Sequence, residues 1–283
     1  MIQDLNIKTL EYNGFVVFKK QSLPQFKRMN REYASNEACF AFVNEGDFQI
    51  RGQTQLVKSN KNIGLLAKCV NYYYENLTPE PLSENAQVIG VFLFPDVFTK
   101  IFNYDFSLST YEVDYNLKQV EVDKLLEHFR DSVNILLDNP ELADEQLIEN
   151  KLREFVLLMS KKVGAPSQLD FLASMFKPNF AKFEEVIQSH LYSDLSVDEL
   201  AKLCHMSVST FKRKFKDVYG DTPSKHITKL KIEKAQLLLK AKESRITDIV
   251  YQTGFESVST FNRAFKTHTG QSPSQYRLDV NAH

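Results

Sequence analysis

The sequence predicts a multidomain α+β protein: a small β-sandwich or barrel over residues 1–110, helices over 111–165, a linker over 166–178 and an all-helical domain over 179–283. Three observations predict it. The first hundred residues carry short aromatic and β-branched runs punctuated by Gly, Asn and Pro, as closely spaced strands require. No glycine falls between Gly90 and Gly164, where the apolar spacing lengthens from two residues to three or four, the period of a helix. Beyond residue 178 a segment of eighteen residues occurs twice.

The strand signals are GFVVFKK, CFAFVNEGDFQIRG, NIGLLAKCVNYYYEN and NAQVIGVFLF. Within them Arg51, Lys68, Tyr72, Tyr73 and Tyr74 mix aromatic surface with positive charge; Arg51, Lys68, Tyr72 and Tyr74 are the candidate binding residues for a small carboxylate-bearing effector. Two helical stripes follow, Leu125, Phe129, Val133, Leu136 and Leu137, then Leu147, Leu152, Phe155, Val156 and Met159, with Asn139-Pro140 breaking between them. Such stripes serve either as core or as the seam of a homodimer. Pro, Gly and Ser at 164–167, and Pro178, mark the linker.

Composition narrows the function classes. With 43% hydrophobic and 25% charged residues in 283, disordered, collagen-like and disulfide-scaffold chains are excluded. The longest nearly unbroken apolar run, residues 88–94, is far short of the roughly 18 residues of a membrane span. The amino terminus lacks a basic segment followed by an apolar core, so the expectation is a cytoplasmic protein without a membrane partner. Cys39, Cys69 and Cys204 are odd in number and far apart, which suits reduced thiols rather than a disulfide framework or a four-cysteine zinc site. No histidine precedes His128, so a β-domain metalloenzyme lacks the usual ligands. Glycine-rich nucleotide loops and nucleophile elbows are also absent, and no cofactor is expected. The net charge of −1 conceals 16 Lys and Arg against 12 Asp and Glu from residue 179 onward, behind a front of 19 against 24. A basic module behind an acidic one points to nucleic acid.

The duplicated segment reads SVSTFKRKFKDVYGDTPS at 207–224 and SVSTFNRAFKTHTGQSPS at 257–274, identical at eleven positions. Upstream the pairing continues at an offset of 49, Leu200-Ala201 against Ile249-Val250, so the second copy has one extra residue in its turn, GFES against HMS. Ser196 and Glu199 form a capping box that starts a short helix. Ser207 then caps a second helix whose Val208, Phe211, Phe215 and Val218 point inward and whose Ser209, Lys212, Arg213 and Lys216 point outward. In the second copy Ser259, Asn262, Arg263 and Lys266 point outward. Each copy is a helix-turn-helix unit, and the outward faces suit a major groove. Thr210 and Thr260 complete the candidate DNA-binding set. Residues 225–242 carry no Gly or Pro and have apolar residues at Ile227, Leu230, Ala235, Leu238 and Leu239, which predicts one continuous connecting helix.

At ITDIVYQTGFESVSTFNRAFKTHTGQSPSQYR the sequence resembles the AraC/XylS family of bacterial transcription regulators, over about residues 179–277. The resemblance implies two helix-turn-helix units on a long helix, recognition of double-stranded promoter DNA, and activation through RNA polymerase. It makes Ser209, Lys212 and Arg213, with Ser259, Asn262 and Arg263, the expected contacts to bases or backbone. Two positions depart from the family pattern: Val250 stands for the usual alanine, and Lys231 for the usual arginine, with loss of a bidentate geometry. The front half is similar to the family's cupin-like sensor domains, and among these to regulators of type III secretion, whose signal is a regulatory protein instead of a small molecule.

Overall fold

The computed structural model describes residues 6–31, 37–68, 70–77, 86–177, 179–240 and 244–281. The chain forms two compact units, Met1–Phe180 and Ala181–His283. Cys69 lies outside the described residues, while Cys39 and Cys204 are free thiols.

In the first unit β1 (Lys8–Tyr12), β2 (Phe15–Ser22), β4 (Ala38–Val43), β7 (Ile63–Ala67), β9 (Gln87–Leu93) and β10 (Leu117–Glu121) form an antiparallel sheet in the order β1-β2-β9-β4-β7-β10. A second antiparallel sheet has the order β3-β8-β5-β6, from β3 (Arg28–Arg31), β5 (Phe48–Arg51), β6 (Leu56–Ser59) and β8 (Tyr72–Asn76). Strand β4 explains the layering. All six of its residues are buried, and because side chains alternate along a strand they divide between two cores. Ala38, Phe40 and Phe42 meet helices, whereas Cys39, Ala41 and Val43 meet Phe48, Ile50, Tyr72 and Tyr74 of the smaller sheet.

The helices on the outer face are α1 (Pro95–Phe102), α2 (Lys124–Asp138), α3 (Glu145–Val163) and α4 (Gln168–Met175). Asp123 caps α2 by accepting the Leu125 and Leu126 N–H groups, and Asp144 caps α3 through Leu147 N–H at 2.7 Å. The Phe155 ring lies 5.4 Å from Phe129 and 5.7 Å from Phe40, so both predicted stripes are core of this unit. Two stripe positions differ from the sequence expectation. Leu125 is 64% exposed and Leu126 is buried instead, because at about 100° per residue Leu126 lies nearer the middle of the arc through Phe129, Val133, Leu136 and Leu137. By the same geometry Ile148 is buried and Leu147 only partly so. The segment 111–165 is no separate body: β10 extends the large sheet and α2 and α3 pack on it. Nor is 166–178 an open linker. It contains α4, whose Phe171, Leu172, Ala173 and Met175 enter the same core.

The second unit is all helical: α5 (Phe183–His190), α6 (Val197–Leu203), α7 (Val208–Tyr219), α8 (Pro223–Leu239), α9 (Ile246–Gln252), α10 (Val258–Thr269) and α11 (Pro273–Asn281). The connecting helix α8 starts two residues before the predicted Lys225, because Pro223 occupies its first turn, where a missing N–H costs nothing. Its seventeen residues span about 26 Å. Phe211 and Phe215 pack with Phe183 in the first copy, and Phe261 and Phe265 with Phe255 and Tyr276 in the second. Val218, predicted to point inward, is 41% exposed; Tyr219 takes the inward place, its ring 4.5 Å from Phe215.

Candidate nucleic-acid interface

The two copies are built by the same local bonds. In the turn after α6, Cys204 N–H reaches Leu200 O, Met206 N–H reaches Ala201 O, and His205 is left-handed at φ 53°. After α9 the counterparts are Thr253 to Ile249, Phe255 to Val250, and Gly254 at φ 75°. All keep an offset of 49 residues, and Ser207 and Ser257 then stand at an offset of 50, so the extra residue is Glu256. Each serine accepts the N–H of Thr210 or Thr260 at 3.3 or 3.2 Å and donates its hydroxyl to that threonine's Oγ1 at 2.9 or 3.0 Å. At the far end Gly220 and Gly270 donate N–H to Lys216 O and Lys266 O from a left-handed backbone, a conformation cheap only for glycine.

Phe211 and Phe215, like Phe261 and Phe265, hold one face of each helix in the core, which sets the other face outward. Ser209, Lys212, Arg213 and Lys216 are exposed on α7; Ser259, Thr260, Asn262, Arg263 and Lys266 are exposed on α10, and Thr210 is half-buried. Elsewhere in this unit three lysines are matched at i,i+4, Lys202 by Asp198, Lys225 by Asp221 and Lys229 by Glu233. Lys212, Arg213, Lys216, Arg263 and Lys266 have no ion-pair partner among the described residues, although Lys214 is spent over the Phe183 ring at 4.8 Å. The outward helices therefore present uncompensated cations, hydroxyls and one amide, the groups that contact phosphates and base edges.

The candidate effector residues separate. Tyr72 and Tyr74 line a cavity of about 70 Å³ between the two sheets, together with Lys19, Arg31, Cys39 and Phe92. Burial raises the Tyr74 phenol well above its ordinary value. Burial and the neighbouring Arg31 lower the Lys19 ammonium, with Glu37 opposing. Glu37 also pairs with Arg31 at 2.8 Å. Arg51 is not in this cavity. It alternates with the inward Phe48 and Ile50, so it lies on the opposite face, where it donates to both oxygens of Glu75 at 2.7 and 2.9 Å. Burial pushes the Glu75 carboxyl up, but bonds from Arg51 and Gln49 and the charge of Arg28 outweigh it and hold it below its ordinary value. Lys68 is buried at the end of β7 and does not line the cavity. Lys19 and Arg31 went unnoticed in the sequence; their signal is a cation interrupting the alternation of β2 and β3.

Lys231 is the second site that sequence reasoning underestimated. It is 8% exposed, and its Nζ donates to Ser193 O at 2.6 Å and Gly254 O at 2.7 Å. Burial lowers its ammonium to about 8, opposed by the Asp194 carboxylate.

Two helix-turn-helix units on one helix, behind a two-sheet domain, define a two-domain protein of the helix-turn-helix class. Family models match both parts: an ExsA N-terminal regulatory domain over residues 38–171 and a helix-turn-helix domain over 200–279. The HTH-type transcriptional activator RhaS of Escherichia coli is 29% identical over 118 residues, 42% of this chain and 40% of the relative. The match therefore spans about two fifths of that relative's length. Among solved structures, the C-terminal domain of the response regulator yesN from Fusobacterium nucleatum is 27% identical, covering 34% of this chain and 93% of its own, with a TM-score of 0.32. ToxT from Vibrio cholerae is 17% identical, covering 94% of this chain and 98% of its own, with a TM-score of 0.34. Both matched parts are thus similar to regulators of the AraC/XylS type.

Proposed function

We propose that the chain is a sequence-specific transcription regulator, an activator, whose α7 and α10 read double-stranded promoter DNA and whose first unit senses a carboxylate-bearing effector. The observation that carries this reading is the duplicated helix, twice capped by serine and anchored by two phenylalanines, twice presenting an exposed arginine and lysine. Lys216 and Lys266 meet phosphates and supply affinity, while Arg213 and Arg263 reach base edges and supply discrimination. The naming of RhaS as a transcriptional activator supports the direction of regulation. For the effector, support comes from Lys19 and Arg31 beside the tyrosines of the inter-sheet cavity, where two cations face one carboxylate, Glu37. The test is selection of the full chain against a random duplex library at near-physiological salt. Enrichment of an asymmetric motif in two blocks about 10 base pairs apart is expected; retention of no sequence above background refutes the reading.

A further inference from the structure

The segment leading into the first helix-turn-helix copy meets the turn of the second main chain to main chain. A Cβ on Gly254 would stand 2.3 Å from Tyr192 O and 2.6 Å from Ser193 O, so the segment that leads into the first copy lies directly against the turn of the second. Backbone against backbone carries little shape information to set a register, and both surfaces turn carbonyl oxygens inward. Buried carbonyls need donors. Lys231, at the middle of α8, supplies one donor group to both, Ser193 O at 2.6 Å and Gly254 O at 2.7 Å. The ammonium also sits 5.7 Å from the Phe255 ring centre, in the turn itself. One turn further along α8, Lys234 Nζ lies 3.7 Å from the centre of the Tyr192 ring and holds the same segment a second time. Helix α8 touches α7, α9 and α10, so a clamp at its midpoint acts on both outward helices.

We infer that Lys231 is the positioning residue that sets the placement of α10 relative to α7, and so the spacing at which this chain accepts two blocks of DNA. The inference rests on the DNA-reading role proposed above. Without the ammonium the two carbonyls lose their shared donor and the copies shift about α8. Each outward helix keeps its own caps and its own phenylalanines, so each single block is still read. Spacing preference is thus separable from affinity for one block, which a merely destabilising substitution would lower as well.

The test uses the full chain, the two-block duplex it selects, derivatives with one or two base pairs inserted between the blocks, and a duplex carrying one block. The unsubstituted chain is expected to reject the insertions by about tenfold or more, the scale of a lost base contact. Lys231→Met has a similar length and no donor; it is expected to bind the single block within about twofold of the unsubstituted chain while its preference among spacings falls to within about threefold. Lys231→Arg, which can donate to both carbonyls, is expected to restore the preference. Should Lys231→Met lose its helical circular dichroism, Lys231→Leu, which also has no donor, carries the same expectation. Full spacing preference in a folded Lys231→Met or Lys231→Leu protein overturns the inference. A chain that binds no two-block DNA before any substitution overturns the DNA-reading role, a distinguishable failure.

Discussion

Replacing Gly254 with alanine separates two costs that a left-handed glycine usually hides together. The first is conformational: a Cβ in the left-handed region costs about 1–2 kcal/mol. Gly220 and Gly270, at φ 73° and 82° with nothing within 4 Å of the added atom, would incur that cost alone. Gly254 would incur it at φ 75° and also place the Cβ 2.3 Å from Tyr192 O, less than any ordinary van der Waals contact. The Tyr192–Ser193 main chain must then retreat by about an ångström, which lengthens the 2.6 Å bond from Lys231 Nζ to Ser193 O. Depriving a buried charged donor of one acceptor adds about 1–3 kcal/mol. The expected cost is therefore about 2–5 kcal/mol for Gly254→Ala, against 1–2 for Gly220→Ala and Gly270→Ala. Hydrogen exchange on the full chain reads this locally, through the Phe255 amide bonded to Val250 O; since 1.4 kcal/mol is tenfold, its exchange should accelerate by about 30-fold or more. His205, non-glycine at the equivalent position of the first copy with φ 53°, shows that the turn conformation itself accepts a Cβ. Equal costs at Gly254 and Gly220 would refute the reasoning.

Four further outcomes are expected. Arg213→Ala should cost about 1–3 kcal/mol in DNA binding and relax base choice at one position, whereas Lys216→Ala should weaken all sequences alike and reduce the salt slope by about one; titrations at several salt concentrations distinguish them. Ser207→Ala and Ser257→Ala should each lower stability by about 1 kcal/mol, read by urea unfolding followed by circular dichroism. Phe129→Ala, which empties a site bounded by Phe18, Phe42 and Phe155, should cost about 3–5 kcal/mol in the first unit. Because folding lowers the Lys231 ammonium from 10.5 to about 8, the unfolded chain holds that proton more tightly between these values. Stability of the second unit should rise with pH across that window, and the rise should be missing in Lys231→Met.

The second unit was legible in sequence because each of its signals is local: serine caps, phenylalanines four residues apart, a glycine at each helix end, and a duplicate to check them against. Lys231 was not, since its partners are main-chain carbonyls 38 and 23 residues away, and a carbonyl has no sequence signature. The usable signal was a lysine next to Ile232 on the buried side of α8. Helix α4 was masked by the Gly, Pro and Ser that precede it, although Ser167 and Asp170 carry a capping pattern, realised as Asp170 N–H to Ser167 Oγ at 3.1 Å. Arg51 misled for a different reason. Alternation tells that Phe48 and Ile50 share a face and Arg51 does not, but not which face borders a cavity; its partner Glu75 comes from a neighbouring strand.

The single residue Glu256 has a consequence for anyone who exchanges parts between the two copies. Up to Phe255 the copies correspond at an offset of 49, and from Ser257 at 50. A chimera joined between Glu256 and Ser257, or between Met206 and Ser207, transplants a whole outward helix with its cap and leaves each turn at its own length. A junction placed earlier, inside the turn, would import or delete a residue. Within a helix one residue is a rotation of about 100°, and the inserted face would come to rest on its phenylalanines or its cations according to where the cut was made.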